Sequence, residues 1–209
     1  MKKQILLALS FTYLFSATAI AENSTNAAEG FSYDYIDTSI VRYNLDTATT
    51  KTQYDGYSVY ISKSLSKHIH FLGNYMDIER SNGNTLDYTG VGFGVNYPIS
   101  SSTDILFDYL HYNYDESYAA LDTANTGGKF NWIEPKIRHQ FTDDIELSAG
   151  LLRIDFAGRP VLYKGFRAAG TYRINNDLSL KFEIFKAKDK GRSTTVDADG
   201  KEFGLRYNF

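Results

Sequence analysis

The sequence predicts an all-β fold: a closed up-and-down antiparallel transmembrane β-barrel of about ten strands, with eight as the alternative. Three observations lead there. The chain is rich in aromatics, at 15%, yet hydrophilic, with a mean hydropathy of −0.36. A soluble core is richer in aliphatics, and a helical membrane protein is far more apolar. From Phe31 onward apolar and polar residues alternate with period two. Turn chemistry breaks that alternation at regular intervals, with short and longer connections taking turns.

The 209 residues are enough for one domain with a sizeable interior. The absence of cysteine excludes a disulfide scaffold and a thiolate metal site. A formal charge of −3 argues against a nucleic-acid partner, which would call for a basic stripe. Residues 1–21 read as a signal peptide: Lys2 and Lys3, an apolar stretch from Ile5 to Phe15, then Ala19-Ile20-Ala21 as the cleavage pattern. The apolar stretch is too short for a membrane anchor. Residues 22–30 (ENSTNAAEG) form a flexible lead-in, and 31–209 the barrel. No later run approaches the roughly 18 apolar residues of a transmembrane helix. An exported chain of this kind enters a membrane as strands.

The first predicted strand, 31–44, opens on Phe31-Ser32-Tyr33-Asp34-Tyr35, but Asp37 and Ser39 break the face and leave room for a bulge. The second and third, 54–65 and 68–79, meet at Ser66-Lys67. The fourth, 86–98, sets Val91, Phe93, Val95 and Tyr97 against Gly90, Gly92, Gly94 and Asn96. The fifth, 103–114, follows three serines. In the sixth, 128–140, Ile133, Pro135 and Ile137 oppose Glu134, Lys136 and Arg138. The seventh, 145–156, follows Thr142-Asp143-Asp144. The eighth, 161–173, sets Leu162, Phe166, Ala168 and Tyr172 against Tyr163, Arg167, Thr171 and Arg173. In the ninth, 177–188, Leu178, Leu180, Phe182 and Ile184 oppose Ser179, Lys181 and Glu183. The tenth is 200–209. An even count places both chain ends on the side of the short turns.

The tenth strand is the most regular. Phe203, Leu205, Tyr207 and Phe209 share one face, and Glu202, Gly204, Arg206 and Asn208 the other. Here the chain resembles the bacterial outer-membrane β-barrel proteins, a porin-like class whose last strand carries this pattern and a terminal phenylalanine. The resemblance implies that Phe203, Leu205, Tyr207 and Phe209 form an assembly signal read by the barrel-assembly machinery. It also implies a monomer in the outer membrane of a Gram-negative bacterium, in contact with outer-membrane lipid and lipopolysaccharide. A soluble periplasmic barrel or sandwich is the competing fold; it would turn the apolar face inward.

With the apolar face toward lipid, the lumen receives Asp108, Glu134, Glu146, Glu183 and Glu202 against Lys136, Arg138, Arg167, Arg173, Lys181 and Arg206. Such near-neutrality suits an ion-pair network that fills the interior, because an unpaired charge there is costly. A narrow channel with a charged constriction is the alternative. Tyr54, Tyr57, Tyr88, Tyr97, Tyr109, Tyr112 and Tyr163 lie near strand ends and read as lipid-interface girdles. Trp132 falls on the lumen face.

Chemistry is harder to find. His68 and His70 sit at a predicted short turn, His139 precedes Gln140-Phe141, and His111 has only Asp108 and Asp115 nearby in sequence. No acid–histidine or serine–histidine set is legible. Asp197, Asp199 and Gly200 resemble the start of a calcium loop but lack its other ligands, and turn chemistry explains them better. The reading predicts no catalytic, metal or cofactor site. It predicts a non-enzymatic barrel with a structural or surface-interaction role through extracellular loops. A narrow porin-like channel, or a surface enzyme on lipid or peptide, is the alternative.

Overall fold

A computed structural model describes residues 31–47, 49–117, 125–158, 161–189 and 196–209. Ten strands follow in order: β1 (Tyr35–Asp46), β2 (Lys51–Ser64), β3 (Ile69–Arg80), β4 (Thr85–Ser100), β5 (Thr103–Ser117), β6 (Asn125–Gln140), β7 (Ile145–Phe156), β8 (Leu162–Arg173), β9 (Leu178–Asp189) and β10 (Asp197–Asn208). Each pairs antiparallel with its neighbour in sequence, and β1 also pairs with β10, from Tyr35↔Asn208 to Asp46↔Asp197. The sheet closes and leaves no edge strand to template another chain. Ten strands are present, not eight. The predicted signal peptide, with Ala19 and Ala21, and the lead-in lie outside the described residues.

Side-chain acceptors hold the short turns. Asn175 Oδ1 accepts the N–H groups of Asp177 and Leu178 at 3.0 and 2.9 Å, and Thr142 Oγ1 those of Asp144 and Ile145 at 3.3 and 3.0 Å. Asn and Thr are favoured in such turns because a short side chain replaces a missing backbone partner. At the other end Gly83 takes a φ of 82°, a left-handed conformation open to glycine at little cost. Pro135 cannot donate to the β6–β7 ladder, yet the register is the same on both sides of it, Ile133↔Arg153 and Lys136↔Gly150.

The two faces are sorted as lipid would sort them. Phe93 and Phe203 point outward, 50% and 52% exposed, while Asp108 and Glu134 point inward at 2% each. Val91, Phe107, Ile137, Leu147, Phe166, Phe182 and Leu205 continue the exposed apolar band. A soluble barrel would bury these residues. An apolar band around a closed barrel with charges inside is a membrane-crossing surface.

The first strand corrects two expectations. No bulge occurs in it: β1 pairs without a register shift with both β2 and β10. Asp37 and Ser39 lie on the same inward face as Tyr35 and Val41, and Ile36, Thr38 and Ile40 face out. The strand begins at Tyr35, the Asp34 carbonyl still accepts from the Phe209 N–H at 3.1 Å, and residues 31–33 reach across the short-turn end of the barrel. There the Tyr33 ring stacks on His70 at 4.7 Å and its hydroxyl donates to Asp104, while the Arg138 guanidinium lies 4.3 Å from the Phe31 ring.

Candidate functional site in the barrel lumen

The lumen has two layers. Toward the short turns it is charged, and alternation puts those charges there: the inward set of each strand is the set opposite its lipid-facing residues. Arg167 on β8 donates to Glu183 on β9 through Nε at 2.6 Å and Nη2 at 2.7 Å, and to Glu134 on β6 through Nη1 at 2.9 Å. Arg206 on β10 grips Asp37 on β1 at 2.8 and 3.0 Å and lies 3.8 Å from the Tyr35 ring. Lys181 stands between Asp37 and Glu183, at 3.1 and 3.2 Å, with Glu202 at 3.9 Å. Arg138 holds Glu146 at 2.6 Å, and Lys136 pairs with Asp108. Glu202 accepts hydroxyl bonds from Tyr43 at 2.7 Å and Ser58 at 3.2 Å. The network joins β1 across the lumen to β5 through β10. Forked guanidinium–carboxylate bonds fix geometry as well as charge.

Of the predicted lumen residues, Asp108, Glu134, Lys136, Arg138, Glu146, Arg167, Lys181, Glu183, Glu202 and Arg206 are all within this layer. Arg173 is not: it is exposed at the end of β8, opposite Ser179, beyond the enclosed part of the lumen. Asp37, Asp104 and His70 belong to the layer and were missed. His70 is 2% exposed with Nε2 3.4 Å from Asp108. The register of β10 against β1 was the signal that could have found Asp37, because it sets Asp37 opposite Arg206.

Toward the longer connections the lumen becomes apolar. A partly open cavity of about 160 Å3 is lined by Tyr54, Tyr88, Tyr112, Phe130, Trp132, Phe156, Tyr163 and Phe185 among others. Tyr112 and Phe130 stack at 4.7 Å and 9°, and Phe156 packs 5.1 Å from Phe130. Leu110 and Ile78 close the wall at 2% and 1% exposure. The floor is the upper edge of the charged layer: Arg167, Lys181, Glu183 and Glu202 all line the cavity.

This cavity corrects the girdle reading of the tyrosines. Tyr54, Tyr88, Tyr112 and Tyr163 line the cavity, whereas Tyr57, Tyr97 and Tyr109 lie on the outward faces of β2, β4 and β5. A phenol suits either place, with an apolar ring and one polar tip. Position near a strand end does not separate the two; parity against the lipid face does. In the halves of β5 and β6 toward the longer connections, the inward series Leu110, Tyr112, Tyr114 and Phe130, Trp132 was the available signal.

His111 Nδ1 is 2.8 Å from Asn131 Oδ1, and His139 Nδ1 is 2.8 Å from Thr103 Oγ1. Among the described residues no group of His, Asp or Glu side chains is arranged to hold a metal ion. The lumen thus holds a paired charge layer toward the short turns and a ring-lined apolar cavity toward the longer connections.

Phe203, Leu205, Tyr207 and Phe209, the residues of the C-terminal motif, are all exposed on the outside of the barrel or at its end. No protein-family model matches the chain, and no curated protein matches it. Solved structures similar to it are membrane barrels. The Neisserial surface protein A aligns at 11% identity, covering 85% of this chain and 98% of that one, with a TM-score of 0.49. The outer-membrane protease OmpT of Escherichia coli aligns at 9% identity over 84% of this chain and 96% of that one, TM-score 0.46. The translocator domain of the autotransporter NalP from Neisseria meningitidis aligns at 10% identity over 100% and 98%, TM-score 0.44.

Proposed function

We propose that this chain is a non-enzymatic, monomeric outer-membrane barrel, closed to through-passage, that takes a neutral apolar molecule into its loop-side cavity. The carrying observation is the stacking of an aromatic cavity directly on a paired charge layer. The floor residues Arg167 and Glu183 already satisfy one another, so a charged guest finds no vacant partner there. Ring and aliphatic walls reward apolar area instead, at about 25 cal/mol per Å2 removed from water. In this reading the short turns face the periplasm and the cavity faces outward, as in barrels with short periplasmic turns and longer extracellular connections. The exposed terminal strand supplies the assembly signal.

Trp132 lines the cavity and is the chain's single tryptophan, so its fluorescence reports occupancy without a label. With the folded protein in lipid nanodiscs, 1-naphthol should produce a saturable change at one site per barrel. Ala198→Phe, which fills the cavity from β10, should abolish that saturation. Planar-bilayer recordings of the wild type should show no discrete conductance steps. Regular steps would favour a channel, and an unsaturable change shared by the variant would remove the cavity reading.

A further inference from the structure

Two carboxylates line the apolar cavity, Glu183 and Glu202, and they are neutralised unequally. They lie directly opposite one another on β9 and β10, an unfavourable juxtaposition of like charges that donors from elsewhere must offset. Glu183 receives the Arg167 fork at 2.6 and 2.7 Å and has Lys181 at 3.2 Å. Among the described residues, the ion-pair partner of Glu202 is Lys181 alone, at 3.9 Å. That ammonium stands closer to Asp37, at 3.1 Å, and to Glu183. Glu202 is therefore the cavity carboxylate that no cation holds at hydrogen-bond distance.

What Glu202 has instead are hydroxyls. Tyr43 donates to Oε1 at 2.7 Å and Ser58 to Oε2 at 3.2 Å. An ionised carboxylate accepts at about four lone-pair positions, so capacity for a further donor is left. The Tyr43 ring also lines the cavity and packs edge-on against Phe185 at 5.0 Å. The site thus already binds one phenol, the chain's own, with its ring among rings and its hydroxyl on Glu202. A guest of the same chemistry would repeat an arrangement the fold has built.

We propose that the guest of this cavity is a neutral aromatic molecule with a hydroxyl group, which donates to Glu202 while its ring joins those of the wall. The proposal rests on the cavity reading above and adds the group that does the recognising. An ammonium guest is disfavoured: its charge would lose water among apolar walls, with Arg167 and Lys181 already in the floor. A hydroxyl brings the hydrogen bond without bringing a charge. A bond to a charged acceptor is also the kind that adds most to affinity.

The test follows Trp132 fluorescence of the full chain in lipid nanodiscs with two guests of one ring system, 1-naphthol and 1-methoxynaphthalene. The ether keeps the ring and loses the donor, and Glu202→Gln keeps the side-chain shape and loses the charge. Glu202→Gln should weaken 1-naphthol by about tenfold and leave 1-methoxynaphthalene within about twofold. Each guest partitions equally into the lipid around both proteins, so the ratio between them reports the barrel. Equal weakening of both guests would make Glu202 a structural residue, and unchanged 1-naphthol binding would leave an apolar cavity without a recognition group. Either result overturns the proposal while the cavity stands. If neither guest saturates on the wild type, the cavity reading fails and the proposal with it. Tighter binding of 1-naphthylmethylammonium than of 1-naphthol would make this a cation site, against the proposal. Gel mobility of unboiled samples checks folding; if Glu202→Gln is unfolded, Tyr43→Phe carries the comparison. It frees Oε1 and should strengthen 1-naphthol but not 1-methoxynaphthalene, and an unchanged preference would overturn the proposal.

Discussion

Arg167 holds Glu183 through two parallel hydrogen bonds, 2.6 Å from Nε and 2.7 Å from Nη2, and its third nitrogen reaches Glu134 at 2.9 Å. One guanidinium therefore ties β6 to β8 and β9 across the lumen. Truncating it takes the guanidinium from two buried carboxylates, leaving Glu183 with Lys181 at 3.2 Å and Glu134 with the Trp132 N–H at 3.2 Å; breaking a buried pair from one side costs about 3–5 kcal/mol. Arg167→Met should lower stability by that amount, measured as the shift in urea unfolding from lipid vesicles. Arg167→Lys keeps the charge but loses the fork, and should fall between wild type and Arg167→Met. A change below about 0.5 kcal/mol in Arg167→Met would show that the lumen network is solvated rather than paired.

The lipid face carries its own prediction. Phe93 is in the middle of the outward series Val91, Phe93 and Val95 and is half exposed. Phe93→Arg should cost about 2–4 kcal/mol, as for a basic residue near the bilayer midplane. Gln140→Arg, at the short-turn end of β6, should cost much less. Equal costs at the two positions would contradict the placement of the band.

The strand count, the short turns and most of the charged layer were legible because lipid outside and charge inside produce strict alternation. Arg206 on β10 is the clearest instance: Leu205 and Tyr207 on either side of it point the other way and are apolar. The failures share a physical cause. Tyr112 and Asp37 are residue types that either face can hold, or that break a face assumed from aromatics alone. Tyr112 lines the cavity and Tyr109 faces lipid, yet both are tyrosines a few residues apart in β5. Only parity against the paired neighbours distinguishes them. The inward reach of Tyr33 left no local mark, because it depends on His70 and Asp104 from distant strands.

Asp34 anchors the segment that crosses the short-turn end, through Lys63 Nζ at 2.8 Å and the Ser64 N–H at 2.6 Å. Burial raises its carboxyl pKa, but the hydrogen bonds from Lys63 and Ser64 outweigh that and leave it below the usual value. A carboxylate depressed in the folded state stabilises the fold above its unfolded pKa, about 3.9, and that contribution is lost as pH falls through the lower folded value. A carboxyl NMR titration should place the Asp34 midpoint below about 3.9, and Lys63→Gln should raise it. A midpoint at or above the ordinary value, or one unmoved by Lys63→Gln, would break the assignment.

Gly90 on β4 shapes the cavity from outside its lining. A Cβ added there would meet the Tyr112 ring, which stacks on Phe130 at 4.7 Å. The glycine lets that ring lie flat against the wall, and a methyl group would push it into the cavity. Gly90→Ala should therefore cost about 1–3 kcal/mol, as overpacking does, and weaken 1-naphthol binding together with stability. Gly170→Ala on β8 is the control, because its Cβ would meet chiefly the flexible end of the Leu147 side chain. That variant should stay within about 0.5 kcal/mol of wild type with unchanged binding. If Gly90→Ala behaved like the control in both measurements, Tyr112 would not be fixed in the wall and the cavity would be softer than its packing requires.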